Sequence, residues 1–247
     1  PYMGWDTVTG IVTASDQQGN WVPATPIHVI ENANHYGFLP TSLKHPVHPK
    51  KITEPVVWIP HFVNQSGASQ VWPRQAKMGP MNDSLIHIGY SRPELFKIYI
   101  DDEPGGSRKS VRQGAVSSVV SGFTSATMKG AVNPVDGRLF VCGFKIWGTV
   151  AGDISGLHRI RYTGAPSYVP EDVRSCDKGV LLRFGVEWEE DIATNLQSYT
   201  GDRWHYRRTK DYGAGNYRLN GERGQEAMPV ANSDLSQCRE AVFLAGT

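Results

Sequence analysis

Three segments of this 247-residue chain repeat one scheme, and the repeated unit is too small to bury its own faces. The segment "PVDGRLFVCGFKIWGTVAGDISGLHRIRY" reads as turn, strand, long loop, strand. Asp136-Gly137 supplies the tight turn, Arg138 to Phe144 the first strand and Leu157 to Tyr162 the second. "PMNDSLIHIGYSRPELFKIYI" repeats the scheme with a short loop and "TGIVTASDQQGNWVPATPIHVI" with a medium one. Alignment on Val12, Ile86 and Phe140 separates the units by 74 and 54 residues, longer than the roughly 40 to 50 of regular propeller repeats, an excess that loop insertions absorb. The physical solution for such units is radial stacking of four-stranded blades around a channel. The chain is therefore expected to be all-β, with a partial β-propeller of about three blades over residues 1–165. Closing a ring takes about four to eight blades, so blades outside this chain are expected partners.

The periodicity is β throughout. Runs rich in Val, Ile, Tyr, Phe and Trp alternate with clusters of Gly, Pro, Asn, Asp and Ser. One short helix is expected over Glu189 to Tyr199, with acidic residues at its start and Ile192 and Leu196 four apart. A boundary is expected at "YTGAPSYVPEDV", where two prolines and a glycine interrupt the strand rhythm. Beyond it, Val180, Leu182, Phe184 and Val186 alternate as an inward-facing set, and "NYRL", "AMPVANSDLS" and "REAVFLAG" add strand-like runs. Residues 166–247 are thus expected to form a small immunoglobulin-like β-sandwich.

Charge names no partner: 25 basic against 24 acidic residues leave a net charge of +1, which predicts no nucleic-acid binding. The longest apolar stretches fall short of the roughly 20 residues of a membrane helix. Pro1 opens the chain without an initiator Met, so a piece of a longer or processed protein is expected. Cys142, Cys176 and Cys238 have no CxxC spacing, which argues against a zinc ribbon, a redox dithiol or haem attachment within this chain. Two readings of the cysteines stand: three unpaired thiols, or a Cys176–Cys238 disulfide in an exported protein with Cys142 in a buried strand.

If the Asp136-Gly137 turn joins an innermost strand to the second, the long second-to-third loops "DQQGNWVPA" and "KIWGTVAGDIS" lie on the opposite face, where ligand sites gather. Asp16, Gln17, Asn20 and Trp21 are then expected to share one rim with Tyr36, Trp147 and a candidate catalytic base, His35. Trp21 has a second reading, as a wedge between blades. Asp16 and Asp153 are candidate calcium ligands if their loops meet. His45 and His48 in "HPVHPK" have metal-like spacing but no nearby partners. "DRWHYRRTKDYGAGNYRLNGERG" interleaves aromatics with Arg and Lys, which suits either a sugar or docking on the propeller through cation–π contacts. Motifs of the GxSxG and phosphate-loop kinds are absent.

"SDQQGNWVPATPIHVI", "QGAVSSV", "NPVDGRLFVCGFKIWG" and "LHRIRYTG" resemble the glucose/sorbosone dehydrogenase-like β-propellers of large exported planctomycete and verrucomicrobial proteins, over residues 1–165 and the later blades only. The resemblance implies an exported, periplasmic or secreted sugar or alcohol dehydrogenase-like oxidoreductase that binds a carbohydrate or other polyol at the propeller mouth. It further implies pyrroloquinoline quinone and calcium as cofactors, and electron transfer to a quinone or to a haem c domain outside this chain. A second function class stands beside it: a non-catalytic propeller and sandwich module that binds polysaccharide or a partner domain.

Overall fold

The computed structural model describes residues 2–37, 51–102, 112–176, 179–199, 205–209, 212–213 and 216–217. His45, His48 and Cys238 lie outside the described residues. Three antiparallel sheets follow one another along the chain. The first contains β1 (Tyr2–Trp5), β2 (Val12–Ser15), β3 (Thr25–Val29) and β4 (Val57–Ile59), side by side in that order. The second contains β5 (Gly67–Val71), β6 (Leu85–Gly89), β7 (Glu94–Asp101) and β8 (Gln113–Val120). The third contains β9 (Lys129–Val132), β10 (Leu139–Phe144) and β11 (Ser155–Ile160). Strands adjacent in sequence are adjacent in space, and Val12, Ile86 and Phe140 each fall in the second strand of their sheet.

The first strands β1, β5 and β9 approach one another in succession to within 8 Å between Cα atoms, as do the fourth strands β4 and β8. Three blade-like sheets therefore stack face to face with their first strands on one side, the arrangement of a partial β-propeller. Burial follows from the stacking. All five residues of β6 are buried because the second sheet is covered on both faces. Along β11 every second residue is exposed, since the third sheet is covered on one face only. Ile27, Ile59, Leu85, Phe96 and Ile98 fill the seam between the first and second sheets. Ala68, Val71, Ile86, Ile88, Leu139 and Val141 fill the seam between the second and third.

The turn between β9 and β10 is the expected one. Gly137 sits at φ +70°, where a side chain is strained, and Asp136 accepts the Arg138 N–H through Oδ1 at 3.0 Å. Cys142, expected in a buried strand, is exposed. It does lie in β10, but on the face turned away from the second sheet, opposite exposed Leu157.

Past the third sheet, β12 (Asp172–Cys176) pairs with β13 (Gly179–Arg183) in a two-stranded ribbon. Its base is tied to the second sheet: the buried Lys97 donates through Nζ to the carbonyls of Pro80, Pro170 and Glu171 at 3.1, 3.2 and 3.1 Å. Tyr99 donates its hydroxyl to the Pro170 carbonyl at 2.6 Å. Val180 and Leu182 are exposed rather than inward: β12 runs beside β7 and β8, while β13, on which they lie, is exposed along its whole length. The helix α1 (Glu190–Thr194) is shorter than expected. Asn195 accepts the Gln197 N–H through its side chain at 3.0 Å and diverts the chain into a 3-10 turn, Leu196–Ser198. A further ribbon joins β14 (His205–Tyr206) to β15 (Asn216–Tyr217). Among the described residues no helix is long and apolar enough to cross a membrane.

Candidate ligand-binding rim

In an up-and-down sheet the first-to-second and second-to-third connections leave from opposite ends. At one end Arg74, between β5 and β6, holds Asp6, between β1 and β2, through Nε at 2.7 Å and through Nη2. Lys77 donates its N–H to the Gly137 carbonyl there at 2.7 Å. Asp6 is fully buried, and the hydrogen bond from Arg74 holds its carboxyl well below the usual carboxylate range despite the opposing effect of burial.

The β2–β3 and β10–β11 connections meet at the other end. Gln17 donates through Nε2 to Ser66 Oγ at 2.9 Å and to the Tyr212 hydroxyl at 3.2 Å, while buried Gln18 accepts the Ser66 N–H through Oε1 at 3.0 Å. Trp147 rests on buried Tyr90, with ring centroids 4.6 Å apart at 39°. The Tyr90 hydroxyl accepts the N–H groups of Ile146 and Trp147 at 2.8 and 3.0 Å. It is thus the peg that fixes the β10–β11 loop, and it leaves the Trp147 side of that loop half exposed, at 50%. Gln17, Gln18, Gln65, Ser66, Trp147 and Tyr212 surround an open depression of about 510 Å³. Among the described residues no carboxylate, imidazole or ammonium group lines it.

Of the residues expected at one rim, Gln17 and Trp147 line this depression together. Asp16 instead turns its carboxylate back to accept the Gln17 N–H at 2.8 Å. Asn20 and Trp21 are engaged by the distal segment. Asn20 forms an antiparallel bridge with Tyr212, Trp21 donates its N–H to the Thr209 carbonyl at 2.7 Å, and Arg208 donates to the Trp21 carbonyl at 3.1 Å. Trp21 has φ 66°, a costly conformation for a bulky residue, and these two bonds to its backbone hold it there. Arg208 also lies over the Trp58 ring at 5.3 Å and bonds Glu54 at 3.2 Å, and the Tyr206 ring meets that of Trp58 at 5.6 Å, so these described residues of the aromatic and basic segment dock on the first sheet.

His35 and Tyr36 do not line the depression. They belong to the β3–β4 connection, which leaves β3 at the end away from the rim. The Tyr36 hydroxyl accepts the Glu31 N–H at 2.7 Å and donates to the Val29 carbonyl at 3.0 Å, and its ring meets His28 edge-on at 4.8 Å. His28 is pushed down to about 4, by burial first and the Arg208 charge second. Asp153 is exposed and donates its backbone N–H to the Thr124 carbonyl at 2.9 Å. Among the described residues no three His, Cys, Asp or Glu side chains converge to hold a metal ion. The depression also has no basic side chain for an anionic quinone, so the described residues do not fit calcium or pyrroloquinoline quinone here.

Gln65, Ser66 and Tyr90 are contributors that no motif in the sequence marks, whereas Tyr212 belongs to the aromatic and basic segment read as suited to a sugar or to docking. For Gln65 and Ser66 a signal existed, because a fourth-to-first connection falls at the same end as a second-to-third loop. No protein-family model and no curated protein matches the chain. A solved structure similar to it is that of a Thermus thermophilus protein described as an oxidoreductase (glucose dehydrogenase), at 16% identity and a TM-score of 0.41, covering 64% of this chain and 44% of that one. The chain spans less than half the length of that protein, and a functional conclusion has to come from the site itself.

Proposed function

We propose that the rim binds a hydroxyl-rich ligand, a carbohydrate or related polyol. The observation that supports this reading is one depression combining the half-exposed indole of Trp147 with the amides of Gln17 and Gln65 and the hydroxyls of Ser66 and Tyr212. A sugar ring presents C–H faces that stack on an aromatic surface, and hydroxyls that both donate and accept. Uncharged amides and hydroxyls match that pattern, and an open depression suits a sugar within a longer chain. Binding is the function the geometry favours over oxidation. A dehydrogenase needs a group placed to take the substrate proton, and the described lining supplies none.

Titration with neutral mono- and oligosaccharides, followed by tryptophan fluorescence, tests this reading. Saturable binding is expected, lost in Trp147→Ala and weakened by roughly two- to tenfold in Gln17→Ala, with the circular dichroism spectrum unchanged. Binding undiminished in Trp147→Ala would move the site elsewhere. Polyol-dependent reduction of an added electron-acceptor dye would favour the oxidoreductase reading instead.

A further inference from the structure

The inner half of the seam between the first and second sheets gathers polar side chains that the protein leaves unpartnered. Ser15 Oγ, Thr25 Oγ1, Ser69 Oγ, Gln70 Nε2 and both ring nitrogens of His87 have no hydrogen-bond partner among the described residues. All five residues are more than nine-tenths buried, His87 completely.

Ser15, Thr25, Gln70 and His87 lie on the faces that form this seam. Thr13, two residues before Ser15 on β2, donates to Gln70 Oε1 across the seam. Gln70 is the register partner of His87. A β-bulge between Gly67 and Gln70 turns Ser69 and Gln70 away from Ala68 and Val71, which pack toward the third sheet. Thr25 and His87 meet over Gly67: a Cβ there would lie 2.7 Å from Thr25 Cγ2 and 2.8 and 2.9 Å from His87 Cε1 and Nε2.

A buried polar group left unpaired keeps the full cost of its desolvation, and several in one seam weigh heavily against the marginal net stability of a folded domain. A single water satisfies about two to four such groups. One imidazole, three hydroxyls and an amide, with no carboxylate or thiolate, make a poor cation site but complete a water's coordination. We propose that this inner seam is an internal water site, with ordered water bridging His87 to Thr25, Ser69, Gln70 and Ser15. Its outer end adjoins the rim through Ser66, the neighbour of Gly67, but it does not rest on the polyol reading.

A crystal structure of the chain at a resolution that shows ordered water tests the site directly. The expected result is water within about 2.7–3.2 Å of a His87 ring nitrogen and of at least one of the other atoms. Side chains that satisfy one another without water, or a dry seam, would overturn it. The sign of a stability change gives a second reading. With bridging water, His87→Leu strands the surrounding hydroxyls and lowers Tm by about 2–4 °C or more. In a dry seam the same change removes an unpaired imidazole and raises Tm. Should His87→Leu fail to fold, Ser69→Ala carries the same opposition of sign, a fall supporting the water site and a rise refuting it.

Discussion

The second sheet has a neighbour on each face, and the two seams are built from different chemistry. Toward the third sheet it packs Ala68, Val71, Ile86 and Ile88 against Leu139 and Val141, an apolar contact. Toward the first sheet the outer half is equally apolar, but the inner half carries Thr13, Ser15, Thr25, Gln70 and His87. Buried Asp6, paired with half-buried Arg74, closes that seam at the end away from the rim. One kind of blade thus tolerates two kinds of join. The apolar seam is held by shape and volume, and the mixed seam by groups whose protonation matters.

Four substitutions or conditions separate the two. The largest effect is expected from Arg74→Met, which leaves Asp6 charged, buried and without its guanidinium; a loss of about 3–5 kcal/mol should appear in urea unfolding at neutral pH. A loss under about 1 kcal/mol would mean that Asp6 reaches water. Next, Ile88→Ala empties the apolar seam and should cost about 2–5 kcal/mol, by the same amount at pH 7 and pH 5.

Acid should act on the mixed seam and on the first sheet beside it, not on the apolar seam. Burial holds the His87 imidazole down at about 3, against 6.5 when unfolded. Between those values the unfolded chain takes a proton that the folded chain refuses, so stability falls as pH drops below about 6.5, by up to about 1.4 kcal/mol per unit. His28, held at about 4, acts in the same direction over a narrower range. The lowered carboxyl of Asp6 contributes stability that is present above about pH 4 and lost below it. A urea midpoint that stays constant from pH 7 to pH 5 would erase the contrast between the seams. The smallest effect is expected from Tyr90→Phe, which removes the acceptor for the Ile146 and Trp147 N–H groups and should cost about 1–2 kcal/mol. It should also broaden the Trp147 fluorescence and weaken polyol binding together.

Much of the architecture is local and therefore legible along the chain. Strand alternation, the Asp136-Gly137 turn and the alignment of Val12, Ile86 and Phe140 depend on residues close in sequence, and they suffice for successive up-and-down sheets. Such sheets put second-to-third loops at one end, which is why Gln17 and Trp147 could be paired from residues 130 positions apart. The sequence does not place His35 and Tyr36, because the residues after β3 look the same whether the chain turns toward the rim or away from it; only strand direction decides. Nor does it settle the burial of Cys142, because alternation says that a β10 residue faces one side, not which side has a neighbour. The contributions of Tyr212 and Arg208 to the first sheet, and the polar half of one seam beside the apolar half of another, arise from contacts across long separations. Local sequence sets which residues share a face, but the free energy of burying that face depends on what the tertiary structure lays against it.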